Sequence, residues 1–489
     1  MRAKEAGIVL RSLGLLLPTV ALMAVLSLPV ALAFGEGEVL APLGWTAGVA
    51  LGLGLVLYIP FRRAGEAQLK HGLIVAALGW LVVSALGALP LWLTSQGQAL
   101  PYREPVDAFF EAMSGFTGTG LTVAPNPEIL PRTLQWWRTF MEWVGGMGVI
   151  VLMLTLLVGP GRSAVSLYFA EARAEKIHPS VASTVRTMWW IFALFTGLAI
   201  AVLWAVGMPL WDAINHAMTA LATGGFSVRA ESIGAYRSWA LEVAVMVVML
   251  AGATSFAVHY QFLRHGPRAF AEDLQTRWLW AAGLVGTAAL GLVGVAARGW
   301  PSSFREGAFQ WISALTCTGF QTTSLTGWAN VPKLLMVVGM VLGGAAGSTA
   351  GGIKLLRFAF LVRGVRWQLK RFGQPPDALV PLRMGDEALP EAVAYRRIAE
   401  AAFLLFLWVS FLVLGTLILA ILMPSASLAD ALFEVASAQS NVGLSVGITS
   451  QAMPLGAKLL LCFHMWMGRL EILPVLVLLR SLVRRPSWP

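Results

Sequence analysis

Residues 107–120 read DAFFEAMSGFTGTG, and the frame recurs as DAINHAMTALATGG at 212–225, EGAFQWISALTCTG at 306–319 and DALFEVASAQSNVG at 430–443. An acid opens each copy and a glycine closes it at one fixed spacing. Ala or Gly follows the acid, a small residue (Gly115, Ala220, Ala314, Ala438) stands five before the final glycine, and Leu121, Phe226, Phe320 or Leu444 follows it. Spacing kept through letters this divergent marks a structural repeat with a shared backbone conformation.

The chain around these frames is 57% hydrophobic and 12% charged, with a mean hydropathy of +0.73, against about 25% charged residues in soluble proteins. Apolar runs close to the roughly 20 residues needed to cross a bilayer recur from end to end. The expectation is an all-α membrane protein with about ten transmembrane helices. Four pseudo-symmetric repeats are expected, since each of the four frames lies between two of these apolar runs. An N-terminal helix pair is expected over 1–70, and the repeats over 71–160, 181–263, 274–372 and 396–485.

Lys and Arg outnumber Asp and Glu, 35 to 25, but the excess follows membrane sidedness, so no nucleic-acid partner is implied. With a cytoplasmic N-terminus the outer side receives only Arg103, Arg132, Arg138, Arg229, Arg237, Arg298, Arg305, Lys333 and Lys458. All other basic residues fall inside, save Arg469, which lies within the last span. Both termini are then cytoplasmic and the four closing glycines face outward. The first segment has the basic start of a signal peptide and ends in Ala31-Leu32-Ala33, but its apolar core is longer than that of a cleaved signal; retention is expected.

Each frame is too short to cross and lies between two spans, so it reads as a half-helix that enters the membrane and turns back. An acid at its start suits an N-cap, and the helix dipole then points its negative end at the membrane centre. Irregular backbone at this depth must be enclosed by protein or line water. The tips Thr117-Gly118-Thr119-Gly120, Ala222-Thr223-Gly224-Gly225, Thr316-Cys317-Thr318-Gly319 and Ser440-Asn441-Val442-Gly443 carry no charge. Their ligands are backbone carbonyls and hydroxyls, hard oxygens suited to an alkali cation. Four helix ends of about −0.5 charge, each about 7 Å away at an effective dielectric near 20, attract a monovalent cation by about 5 kcal/mol. That holds an ion and still releases it.

At this point the residues identify a resemblance. DAFFEAMSGFTGTGLTV, WVGGMGVIVL, WDAINHAMTALATGGFSV, TCTGFQTTS, GGAAGSTAGGIK and MGRLEILPVLVL stand in the order of the landmarks of the TrkH/KtrB potassium-transport proteins, within the Trk/Ktr/HKT superfamily. The GRLE ending and the extra N-terminal pair are closer to the TrkH branch. The resemblance implies that each repeat is a helix, a pore helix, a filter and a second helix, and that the four surround a central ion pore. It implies potassium as substrate, filter glycines at Gly120, Gly225, Gly319 and Gly443, and one ion path per subunit of a homodimer in the bacterial inner membrane. It also implies a cytoplasmic TrkA-type RCK regulatory subunit, on which alone a nucleotide is expected; no cofactor is expected in this chain. Two positions depart from the family pattern: Gly118, where threonine is common, and the fourth filter, SNVGLSVG, in place of an Asn-Asn-Leu-Gly run. The other plan with four such repeats is the ion-binding subunit of a potassium-pumping P-type ATPase.

Two further features fall below the filters. Gly343, Gly344, Gly347, Gly351 and Gly352 interrupt an apolar span, and at about 1 kcal/mol per helical glycine they favour an unwound loop; the resemblance makes 343–352 the intramembrane gate, with Lys354 and Arg357 emerging toward a regulator. Arg469, at about 2.5 to 3.5 kcal/mol for an arginine within a span, must face a partner or a wet cavity, and the resemblance places it on the ion path. Glu471, two residues on, does not face it on a helix. His216, His259 and His464 read as packing residues, and Lys333 and Lys458 as interfacial anchors. Cys317 and Cys462 lack the spacing of a disulfide framework or a metal site. No nucleophile-elbow, zincin, Walker or Rossmann signature occurs where an enzyme would need it, so no enzyme is expected.

Overall fold

The computed structural model describes residues 3–157, 181–375, 380–384 and 387–483. Of the residues read above as cytoplasmic, Arg2, Arg162, Arg173, Lys176, Arg484 and Arg485 lie outside them, as do the last residues assigned to the first and fourth repeats.

Four short helices carry the four frames: Pro105–Thr117, Leu210–Leu221, Trp300–Leu315 and Leu428–Gln439. They have 13, 12, 16 and 12 residues, about 18 to 24 Å of helix at 1.5 Å per residue, less than the roughly 30 Å of a bilayer's hydrocarbon core. Their faces are buried throughout the second half of each helix. Before them run the long helices Leu69–Ser95, Val181–Ala205, Leu274–Arg298 and Glu391–Leu422. The helices Ala3–Leu16, Pro18–Phe34 and Gly37–Tyr58 pack beside the first repeat. Outward-facing apolar side chains such as Leu284 (75% exposed) and Ile421 (76%) are what a lipid-facing surface requires. The chain is a multi-pass, all-α membrane protein.

The second helix of each repeat departs from the sequence expectation. Only one interruption was expected, in the third repeat, and it is present between Asn330–Leu342 and Leu355–Phe372. The second and fourth repeats break as well: Trp239–Ala253 and Phe256–His265 meet at 104°, Leu455–Arg469 and Leu473–Val483 at 112°. Among the described residues six helices are long and apolar enough to cross alone, and these two bent pairs raise the number to eight; the other two expected crossings correspond to Arg132–Leu157 and to the interrupted pair of the third repeat. The fourth-repeat break has no glycine: Glu471 (φ 54°) and Ile472 (φ 70°) are held in the left-handed region, at a cost of about 1–2 kcal/mol each. A small addition is a two-stranded hairpin, Leu382–Met384 with Glu387–Leu389, paired Leu382 to Leu389 and packed on Phe360, Trp367 and Ala394.

Candidate ion filter and gate

The first residue of each tip ends its half-helix in right-handed backbone and the second is left-handed, which is why the tips can be formed by such different letters. Ala222, Thr316 and Ser440 have φ/ψ of −74°/−6°, −78°/−3° and −87°/−1°. The next residue in every copy has positive φ: Gly118 60°, Thr223 50°, Cys317 54° and Asn441 54°. The closing glycines follow at 84°, 94°, 91° and 96°. Backbone that alternates in hand turns successive carbonyls toward one side, whereas a strand would alternate them. Glycine supplies this without penalty; Thr223, Cys317 and Asn441 accept strain of about 1–3 kcal/mol apiece.

The tips close into a ring in chain order. A methyl carbon built on Gly120 would stand 2.2 Å from the Gly224 carbonyl oxygen, one on Gly225 2.1 Å from that of Thr318, one on Gly319 2.0 Å from that of Val442, and one on Gly443 2.3 Å from that of Thr119. Each closing glycine thus lies against the peptide oxygen of the next repeat, and the fourth returns to the first. All four require glycine both for φ and for space. Thr117, Gly118, Thr119, Gly120, Ala222, Thr223, Gly224, Gly225, Thr316, Cys317, Thr318, Gly319, Ser440, Asn441, Val442 and Gly443 are brought together in this ring.

The hydroxyls do not all serve as the sequence suggested. Those of Thr117 and Thr316 donate back to Met113 and Ile312 carbonyls, both at 2.7 Å, and pair with the hydroxyls of Thr119 (2.7 Å) and Thr318 (2.8 Å). The first and third tips are therefore stitched internally. In the fourth, Asn441 Nδ2 reaches across to Thr119 Oγ1 at 2.9 Å. In the second, Glu142 from the preceding repeat accepts the Phe226 N–H at 3.1 Å, and a methyl carbon on Gly224 would meet its carboxylate. Sequence reasoning passed over Glu142, which lies in WRTFMEWVGG; a carboxylate in an apolar span was the available signal. It also passed over Ser313 and Ser437, whose hydroxyls accept the N–H of Gly319 (3.1 Å) and Gly443 (3.0 Å). The signal there was a column: Ser114, Thr219, Ser313 and Ser437 hold one position of the frame.

The opening acids are not N-caps. The capping positions are Glu104, Pro209, Gly299 and Ser427, and Glu306 lies well inside its helix. Instead the acids and their neighbours join the repeats. Lys458 is buried against Asp107, closing the fourth repeat on the first, and Lys333 meets Asp430 at 2.6 Å, joining the third to the fourth. These lysines are thus ion-pair partners rather than interfacial anchors. Burial would raise the Asp430 carboxyl, but hydrogen bonds from Lys333 and Ser427 hold it below its ordinary value. The second and third repeats use the opposite polarity, Arg305 donating to Glu242 at 2.7 and 2.8 Å. The first and second are joined by Trp211 to Gln135 (2.9 Å) and Thr139 to Asn215 (2.7 Å), together with the more exposed pair of Arg229 and Glu128 at 3.4 Å. The histidines pack as expected, His216 against Ser227, His464 on Gln439 and His259 on the Ala251 carbonyl.

Directly beneath the ring lies the loop 343–354. Gly343, Gly347 and Gly352 have φ of 67°, 72° and 73°, and Gly351 passes so close to the Ser440 carbonyl that a side chain has no room. The Gly352 N–H donates to that carbonyl at 3.1 Å. The Thr349 hydroxyl lies 2.9 Å from the Leu221 carbonyl and 3.0 Å from that of Gly252, and it accepts from Thr223 at 3.1 Å. Gly344 lies against Ala253, whose carbonyl accepts the Ala345 N–H. The loop is thereby tied to the tips of the second and fourth repeats.

Arg469 lies at the middle of its span, as expected, where the first half-helix ends at the bend and its dipole favours a cation. Its guanidinium donates to the carbonyls of Thr349 (2.8 Å), Gly145 (3.1 Å) and Gly146 (3.2 Å) and lies 3.8 Å from where a Gly118 side chain would begin. Arg357 does not emerge for a regulator: it is 2% exposed and pairs with Glu471 at 2.5 Å. Lys354 turns back to the Ala350 carbonyl. Glu471, as expected, does not serve Arg469.

A family model described as cation transport protein, TrkH, matches residues 48–487. An uncharacterized cation transporter of Methanocaldococcus jannaschii is 35% identical over 415 residues, covering 85% of this chain and 83% of that protein. The Trk system potassium uptake protein TrkH of Halomonas elongata is 30% identical over 486 residues, 96% and 97% of the two chains, and its Escherichia coli K12 namesake 31% over 454 residues, 88% and 89%. The crystal structure of the potassium transporter TrkH from Vibrio parahaemolyticus superposes with a TM-score of 0.84 at 28% identity, covering 99% of this chain and 100% of that one.

Proposed function

This chain belongs to the TrkH family of cation transport proteins, and on that premise we propose that it takes up potassium through the four-tip ring, which acts as its selectivity filter. The observation that carries the reading is the cyclic contact of Gly120, Gly225, Gly319 and Gly443, each on the next repeat's carbonyl. A cation entering from outside exchanges its water for rings of peptide oxygens, favoured by four converging helix ends. No side-chain charge is needed at the site. The protein acts in the bacterial inner membrane with both termini cytoplasmic, as a homodimer controlled by a TrkA-type RCK subunit that carries the nucleotide. The membrane potential then contributes about 2.3 kcal/mol per charge per 100 mV.

The closed gate in this reading consists of the loop 343–352 and Arg469. A guanidinium about 7 Å from the ion at an effective dielectric near 20 raises its energy by about 2.4 kcal/mol, a roughly fifty-fold reduction in occupancy below the filter. Opening requires the loop to release the Ser440 and Leu221 carbonyls and Arg469 to leave the axis. The test is flux of potassium or rubidium into proteoliposomes containing the full chain, with and without the regulatory ring. Uptake driven by an inside-negative potential is expected; its absence under both conditions refutes the proposal.

A further inference from the structure

One position of the repeated frame, nine residues before the closing glycine, holds a polar residue in all four copies: Glu111, His216, Gln310 and Glu434. All four are completely buried, where an unpaired polar group is expensive. Each makes at least one hydrogen bond to the segment that leaves its own filter. Glu111 accepts from the Thr122 hydroxyl at 2.7 Å and the Val123 N–H at 3.1 Å. His216 Nε2 meets the Ser227 hydroxyl at 2.9 Å while Nδ1 faces the Asp212 carbonyl at 2.8 Å. Gln310 Nε2 donates to the Thr323 carbonyl at 3.1 Å. Glu434 accepts from the Ser445 hydroxyl (2.7 Å), the Val446 N–H (3.1 Å), the Thr449 N–H (2.9 Å) and the Thr449 hydroxyl.

Taking the potassium-filter reading above as its basis, we propose that Glu111, His216, Gln310 and Glu434 are specificity-determining positioning residues, which brace the outer exit of each filter against its half-helix and so fix the spacing of the glycine ring. None touches the ion path; each acts through the two to six residues that follow its glycine. Discrimination among alkali cations depends on how many oxygens are presented and how firmly their spacing is held, and a tip fixed on its inner side alone can spread at its outer side. The braces are unequal. Glu111 and Glu434 are carboxylates with charge-assisted bonds, about twice as strong as neutral ones, whereas His216 and Gln310 each make a single neutral contact with the exit segment. The first brace also crosses to the next repeat: Arg138 donates to Glu111 at 2.7 Å and to the Ser227 carbonyl at 3.2 Å, with its guanidinium 4.2 Å from the Phe226 ring.

The experiment is the bi-ionic reversal potential of the full-length protein in planar bilayers, potassium against sodium. Glu434→Gln keeps the volume but replaces one acceptor by a donor facing N–H groups, and a five- to tenfold fall in the potassium-to-sodium permeability ratio is expected. Gln310→Leu, which removes one neutral bond, is expected to lower the ratio about twofold. Ser445→Ala with Thr449→Val strips the opposite end of the Glu434 brace and reads the same effect should Glu434→Gln fail to assemble. A structural role alone would lower yield or melting temperature and leave the ratio at its wild-type value; an unchanged ratio in folded, conducting Glu434→Gln or in the double variant overturns the proposal. Wild-type protein that conducts no potassium overturns the filter reading itself, a separate failure.

Discussion

The ring of filter tips and the layer immediately beneath it are built by opposite means. In the ring, four unlike sequences adopt one backbone, with positive φ at Gly118, Thr223, Cys317 and Asn441 and again at the four closing glycines, and the contacts that close it run from glycine to peptide oxygen. In the layer below, nothing repeats: Arg469 comes from the fourth repeat alone and the glycine loop from the third alone, and the bonds between them are specific to those residues. A site made of backbone tolerates sequence drift as long as conformation is kept. A layer made of one guanidinium and one loop depends on individual side chains. The same protein thus combines a symmetric ring with an asymmetric layer in contact with it.

That contrast can be broken most directly at the ring. In Gly225→Ser, a side chain at φ 94° would overlap the Thr318 carbonyl, and loss of most potassium preference, at least tenfold or about 1.4 kcal/mol, is expected in reversal potentials. Gly118→Ala is the sharpening control, since its new carbon meets only ordinary contact with Arg469; preference should survive. If both variants lose it equally, the ring does not depend on cyclic glycine contact.

The seams between repeats are read as stability rather than as selectivity. Lys458→Met leaves Asp107, whose side chain is 2% exposed, without its cation, a change that destabilises by about 3 kcal/mol or more; a thermal melt in detergent reads it. Lys333→Met should cost about 1 kcal/mol, because the Asp430 side chain is 24% exposed and keeps Ser427. Equal losses at the two seams would contradict the difference in burial.

Below the ring, Arg469→Ala should raise regulator-free flux by roughly tenfold or more, given the repulsion of about 2.4 kcal/mol, while leaving the permeability ratio unchanged. Thr349→Val removes the hydroxyl that joins the loop to Leu221, Gly252 and Thr223 and should raise flux about threefold, one neutral hydrogen bond at about 0.7 kcal/mol. A change of selectivity in either variant would merge the two layers into one functional unit. The smallest effect is on pH: the Asp430 carboxyl is held below its ordinary value, so the seam to Lys333 contributes fully above that value and weakens as pH falls through the lowered one. Melting temperature should be flat from pH 7 to about 5 and decline below about 4, and less so in Asp430→Asn.

Much of this arrangement was legible in the amino-acid order. The membrane class, the four half-helices, the tips and the glycine loop follow from hydropathy and from one repeated frame, because each is a property of local backbone and of solvent. The opening acids illustrate where such reading ends. Asp107, Asp212 and Asp430 look like caps, yet Asp107 and Asp430 are claimed by lysines far along the chain and Asp212 by Arg229 and Tyr236. A local hydrogen bond lost to a distant ion pair leaves no trace in spacing. The same is true of Arg357, assigned to the cytoplasmic face and found paired with Glu471.

The sequence by itself determined that four related segments enter a membrane from one side and end in uncharged, glycine-closed tips, since apolar length and residue type govern those outcomes within each segment. Only the tertiary structure decided that each tip rests on the next in a closed ring, that the helices of the second and fourth repeats break without glycine, and that Glu111, His216, Gln310 and Glu434 face the filter exits. The reason is physical: ring closure, the burial of a charge and the direction of a buried hydrogen bond are set by which segments meet, and that meeting leaves no signal in local spacing, whether the partners stand as near in sequence as Glu111 and Thr122 or as far apart as Thr119 and Asn441.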